Sequence, residues 1–199
     1  MKSISINETL YSVFGAKRYT KADFAKITHL SLSQYSLSGV MQELDLSELD
    51  YFENLESVHI KDCALNDEKF SHLKRLKSLS FVRCDFTRVS EKFIPTSLKE
   101  LYVSDCVGLS TQFNKPKVKS YEIHKMKLNP KFCPKATELN VSGCTIKNYD
   151  FLLSPPLQRL IISQIQYKSH KKLFENAPFE VVVMESNGQF VATTVGGKK

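Results

Sequence analysis

One short pattern recurs seven times between residues 27 and 167, and it restricts the chain to folds built by stacking one kind of unit. It reads apolar, two variable, apolar, one variable, apolar, two variable, then often Cys, one variable, and usually apolar. The copies begin at Ile27, Leu55, Leu76, Leu98, Val118, Ala136 and Leu157, so successive starts lie 28, 21, 22, 20, 18 and 21 residues apart. Two of the fullest are Leu55-Glu-Ser-Val58-His-Ile60-Lys-Asp-Cys63-Ala-Leu65 and Leu76-Lys-Ser-Leu79-Ser-Phe81-Val-Arg-Cys84-Asp-Phe86. Self-similarity at such a period marks stacked supersecondary units.

The middle of each copy alternates with period two and predicts a half-buried strand. Its apolar side chains face inward and stack on their equivalents, since one unit cannot bury its apolar side alone. Cys63, Cys84, Cys106 and Cys144 share the slot where the chain turns away from the strand, and Tyr35, Met126 and Ile165 take it elsewhere. A small, buried, weakly polar residue suits that packing.

Both ends need covering, because an open stack exposes core and strand edge. Met1, Ile4 and Ile6 suit an extra first strand, and Asn7 caps a short helix carrying Leu10, Tyr11 and Phe14, stopped by Gly15. Thr20 and Asp23 form a capping arrangement for a second short helix ending near Lys26. Phe179, Val182 and Met184 fit the repeat positions of a last parallel strand, and Asn187-Gly188 predicts a hairpin over 179–195. All seven prolines lie at or after Pro95, so the back connections are expected to be extended or single-turn. The front ones, with Asp67, Phe70, Leu73 and Leu76 at helical spacing, are expected to carry helical turns.

These motifs resemble those of leucine-rich repeat proteins over nearly the whole chain. The resemblance implies an α/β fold: a right-handed leucine-rich repeat solenoid with a concave parallel β-sheet, short helical or extended convex segments, and a C-terminal β-hairpin cap. On this reading residues 1–199 are one domain, with an N-terminal cap at 1–26, repeats over 27–178, the capping hairpin at 179–195 and a tail at 196–199. In that family the Cys slot is commonly Asn. Ile94-Pro95-Thr-Ser-Leu98-Lys-Glu-Leu101-Tyr-Val103 is similar to the short proline-containing repeats of secreted bacterial effectors, although the longer front copies and the Cys slots depart from these. The family implies a binding surface without chemistry, hence a non-enzymatic protein–protein interaction module, adaptor or effector, gripping a protein partner on its concave face.

Composition narrows the alternatives. No stretch is apolar for long enough to span a bilayer, and the start lacks the apolar run of a secretory signal. The five cysteines have no finger-like spacing, so neither zinc nor any other metal or cofactor is expected, and buried thiols suit a reducing, cytoplasmic compartment. Export to a host cell without a classical signal is compatible with the same features, and a monomer is expected. Net charge is +7 and uneven. Residues 43–68 hold nine acids and one Lys, whereas 115–135 hold seven Lys and one acid. Such runs either solvate a surface or steer an oppositely charged partner.

In such a sheet the variable strand positions line the open face. Most are small and polar; the exceptions are His59, Lys61, Val82, Tyr102, Glu122, His124 and Ile161, which we take as the candidate partner-binding residues. Tyr102 with Val82, Glu122 and His124 forms the expected contact centre, since interfaces draw energy from few aromatic anchors. Nucleic-acid or acidic-surface binding through the Lys cluster, with Tyr121, Phe113 and Phe132 interleaved, is the alternative. Catalysis is not expected: His59 and His124 stand three strands apart, roughly 14 Å. No phosphate-binding loop, nucleophile elbow or metal motif occurs.

Overall fold

In the computed structural model of the protein, strands form where the pattern alternates, because every second side chain packs one face and leaves the other to solvent. The structure describes residues 20–33, 41–43, 49, 51–66, 70, 73–89, 94–109, 118–128, 136–152, 156–185 and 193–195. A short helix, α1 (Lys21–Phe24), leads into β1 (His29–Ser33), β2 (Gln42–Glu43), β3 (Ser57–Lys61), β4 (Cys63–Ala64) and β5 (Ser78–Val82). There follow β6 (Glu100–Ser104), β7 (Val118–Leu128), β8 (Ala136–Ile146) and β9 (Arg159–Ser163). Two helices, α2 (Gln164–Ser169) and α3 (Lys171–Glu175), precede β10 (Glu180–Met184) and β11 (Thr193–Val195).

Nine of these strands form one sheet in the order β1-β3-β5-β6-β7-β8-β9-β10-β11. The first eight are parallel and follow chain order, and β11 is antiparallel to β10. This architecture overturns the leucine-rich repeat assignment and the curved solenoid it implies. The sheet is one continuous layer, neither closed nor strongly curled, so it has no horseshoe shape and presents no concave face.

The physical reason lies behind the sheet. Curling needs one side of the layer to be wider than the other, as when helices about 10–12 Å across back strands about 4.8 Å apart. Here the segments that leave β3, β5 and β6 are themselves paired at strand spacing. Gln42 and Glu43 pair with Cys63 and Ala64, Ala64 bridges to Asp85, and Asp85 bridges to Val107. Matched spacing front and back leaves nothing to bend the layer along β3, β5 and β6.

Inward strand residues from Leu30 and Leu32 through Leu79, Phe81, Tyr121 and Ile123 to Leu160 and Ile162 are buried. The Cys slot closes this core with a ladder of sulfur contacts. Cys84, Cys106 and Cys144 donate their thiols to the carbonyls of Ile60, Phe81 and Ile123, one strand back, at 3.5, 3.6 and 3.1 Å. In return Cys106 Sγ accepts the Cys84 amide at 3.4 Å. One atom thus serves as both donor and acceptor where the chain leaves the strand. At four of the slots the preceding residue turns the backbone: Asp62, Arg83, Asp105 and Lys125 have positive φ, at 59°, 49°, 56° and 50°. Arg83 also clamps Asp62 through Nε–Oδ1 at 2.6 Å and Nη2–Oδ2 at 2.8 Å.

In the front connections Leu49, Tyr51 and Phe70 lie in 3-10 turns, as helical spacing there predicts, whereas the back half carries helix where extended or single-turn segments are expected. Helices occur in the back half, after β9, where Ser163 and Gln166 make a reciprocal capping box. Ile165, expected in the Cys slot, is 74% exposed. Its neighbour Gln166 is buried instead and donates to the carbonyls of Val141 and Cys144, both at 2.9 Å. Of the front helical spacing, Asp67 lies outside the described residues, while Phe70 and Leu73 are buried. Thr20 and Asp23 exchange hydrogen bonds at the start of α1. The phase of β10 is one residue from that expected: Val181 and Val183 stand in register with inward Leu160 and Ile162, and Val182 with Ile161. The strand and helix expected before residue 16, Tyr35, and the Asn187-Gly188 turn lie outside the described residues. No helix among the described residues is long and apolar enough to cross a membrane.

Candidate functional site

The open face of the sheet carries its densest polar network where β6, β7 and β8 meet. In-register pairing places Tyr102 beside Glu122 and Ser104 beside His124. Glu122 Oε1 accepts from His124 Nε2 at 2.7 Å and from Asn140 Nδ2 at 3.2 Å. Asn140 Oδ1 in turn accepts from the Ser142 amide at 3.1 Å and hydroxyl at 2.8 Å. The Tyr102 and His124 ring centroids are 5.6 Å apart. Glu122 and His124 keep 43% and 28% of their side-chain surface exposed, so the cluster is ordered yet open to solvent.

A register shift after Glu122 sets the position of the imidazole. His124 faces Gly143 and not Ser142, the neighbour a regular ladder would supply. A Cβ at residue 143 would stand 2.6 Å from His124 Nδ1, so glycine leaves room for the ring. Two further carboxylates lie on the same face, because Glu100 is in register with Ser120 and Ser120 with Glu138. Glu138 is engaged by Arg159 at 3.6 Å, and the same guanidinium reaches Glu180 at 3.5 Å. Glu100 and Glu122 therefore flank Tyr102 with negative charge.

Of the candidate residues, the structure brings Tyr102, Glu122 and His124 into one cluster, with Val82 diagonal to Tyr102 through Ser80 and Ser104. His59 and Lys61 stand two and three strand steps away, respectively, from Tyr102 and His124. Ile161 exposes only 8% of its surface, as both faces of β9 are covered there. The expected binding of a protein on a concave face is overturned with the curvature it needed. Residues 115–117 and 129–135 of the Lys cluster lie outside the described ones, and Lys119 and Lys125 sit six residues or about 20 Å apart along the strand. Tyr121, needed there for stacking, is fully buried. Of the acidic run, Glu56 pairs with Lys77 at 2.7 Å and Asp62 with Arg83. Asn140, Gly143 and Glu100 were not singled out by sequence reasoning. Glu100 had a usable signal, its place two residues before Tyr102 on an alternating strand.

His59 is held by Ser80, with Nδ1 2.8 Å from the hydroxyl oxygen. Partial burial, and then the nearby Lys61 charge, lower its pKa from the usual 6.5. The folded chain thus resists protonation more than the unfolded one, so stability present above pH 6.5 is lost as pH falls below it. Unfolding midpoints in urea are expected to drop between about pH 7.5 and about pH 5.5, and His59→Gln to flatten that slope. Identical slopes in the two proteins would show that the burial of His59 is without consequence.

Among the described residues no three His, Cys, Asp or Glu side chains are grouped to hold a metal. No protein-family model matches the chain, and no curated protein matches it.

Proposed function

We propose that this protein is a non-enzymatic binding module that takes a cationic group, an alkylammonium or a guanidinium, on the open face of its sheet. The observation that carries this reading is Tyr102 flanked by Glu100 and Glu122, with Glu122 already oriented by His124 and Asn140. A cation over an exposed aromatic ring gains about 0.5–1 kcal/mol, and the adjacent carboxylates add attraction from two sides. A guanidinium suits the place best, being planar enough to lie on the ring while its N–H groups reach the carboxylate edge. The ordered network also means that little side-chain freedom is lost on binding. Four buried cysteines without disulfides support a reducing compartment.

Titration with agmatine at constant ionic strength, followed by nuclear magnetic resonance, tests the reading. Ring protons of Tyr102 and His124 are expected to shift together, and Glu122→Gln to weaken affinity about 3–10-fold. Unshifted Tyr102 resonances at saturating agmatine, or equal affinity in Glu122→Gln, would rule it out.

A further inference from the structure

We propose that Cys84 and Cys106 are a peroxide-oxidisable pair, a modification site at which a reversible disulfide joins neighbouring strand ends inside the protein. Val82 is in register with Ser104 and Asp85 with Val107, which sets Cys84 opposite Cys106. Segments paired in this way lie about 4.8 Å apart, within the Cα separation of about 4.4–6.8 Å that a disulfide spans. The two residues are already in contact: the Cys84 amide donates to Cys106 Sγ at 3.4 Å.

The two thiols are not equivalent. Hydrogen bonding from the Cys84 side chain, then from backbone amides, holds Cys106 below the ordinary thiol range against the opposing effect of burial. The same contact, and burial, push Cys84 upward. Cys106 is also the more accessible, 7% exposed against 0% for Cys84. Cys106 is therefore the attacking thiolate and Cys84 the resolving thiol. In the first step Cys106 Sγ attacks hydrogen peroxide: an S–O bond forms, the O–O bond breaks, and the departing hydroxide takes a proton to become water. In the second, Cys84 Sγ attacks the sulfenic sulfur: the S–S bond forms, the S–O bond breaks, and hydroxide leaves with the Cys84 proton as a second water. Two thiols lose two electrons and the peroxide is reduced to two waters.

Cys144 is separated from Cys106 by β7, whose residue at this level is Met126. Cys63 lies opposite Cys84 on the other side, fully buried.

The test is a tryptic map of the full chain under non-reducing conditions after mild hydrogen peroxide treatment. Expected is loss of two of the five thiols and a linked pair of peptides, 84–88 with 100–117, that dithiothreitol separates. Cys84→Ser should leave a sulfenic acid on Cys106 that dimedone traps, and Cys106→Ser should give no link. The wild-type map alone decides the matter if a serine variant does not fold. A link from 62–69 to 84–88, oxidation confined to Cys133, or full retention of thiols at peroxide levels that oxidise free cysteine would each overturn the proposal.

Discussion

Replacing Phe81 with Ala is expected to lower the unfolding free energy by about 3–5 kcal/mol. Phe81 is fully buried on β5, in register with Ile60 on one side and Val103 on the other. Its ring meets Phe86 edge-on at 5.0 Å and Phe70 at 6.1 Å, so truncation removes two aromatic contacts as well as buried area. The size of the effect depends on whether neighbours can fill the space left. They cannot move far, since β3 and β6 are hydrogen-bonded to β5 along their length and the Phe81 carbonyl accepts the Cys106 thiol at 3.6 Å. Urea denaturation followed by circular dichroism measures the loss. A change below about 1 kcal/mol would mean that the layer behind β5 collapses freely and that the aromatic cluster is not closely packed. Tyr102→Ala on the open face of β6 is the control, where stability should change by about 0.5 kcal/mol or less.

Gly108→Ala is the second large effect, expected at about 2–5 kcal/mol. Gly108 has φ of 72°, in the region where a side chain is strained whatever the space around it. An added Cβ would also stand 2.4 Å from the Thr87 amide nitrogen and 2.8 Å from the Phe86 carbonyl carbon. Both are backbone atoms of the neighbouring turn. That turn is fixed from two directions: the Thr87 amide donates to Asp85 Oδ1 at 2.8 Å, and the Phe86 amide donates to the Val107 carbonyl at 3.0 Å. Relief therefore requires two adjoining turns to part. Gly143→Ala makes the contrast, because its Cβ would meet the His124 ring, which can rotate away. Gly143→Ala should leave stability within about 1 kcal/mol of wild type while releasing the His124–Glu122 bond. Comparable losses in the two variants would contradict the distinction between backbone and side-chain obstruction.

The inward-facing positions were legible because they obey a local rule. An apolar-variable-apolar stretch buries one edge of an extended chain whatever its neighbours do, and Val58 with Ile60, Leu101 with Val103, and Leu139 with Val141 are all buried. The capping residues Thr20 and Asp23 act over three positions and were equally readable. Alternation alone places Tyr102, Glu122 and His124 on the open face. Asn140 joined them only through a hydrogen bond between strands, and Gly143 only through a register shift that no periodicity announces. Ile161 was misplaced for a similar reason. Alternation turns it outward, but that end of the sheet is buried on both faces.

The spacing of apolar residues by itself determined where strands form and which side of each strand is greasy, since both follow from the geometry of one extended segment. The shape of the layer was decided in three dimensions. Whether a sheet curls depends on the relative width of what lies behind it, and here Ala64, Asp85 and Val107 pair at the same interval as the strands in front. The sulfur ladder belongs to the same category: Cys84 and Cys106 are 22 positions apart in sequence, and only parallel in-register pairing makes each the hydrogen-bonding partner of the other.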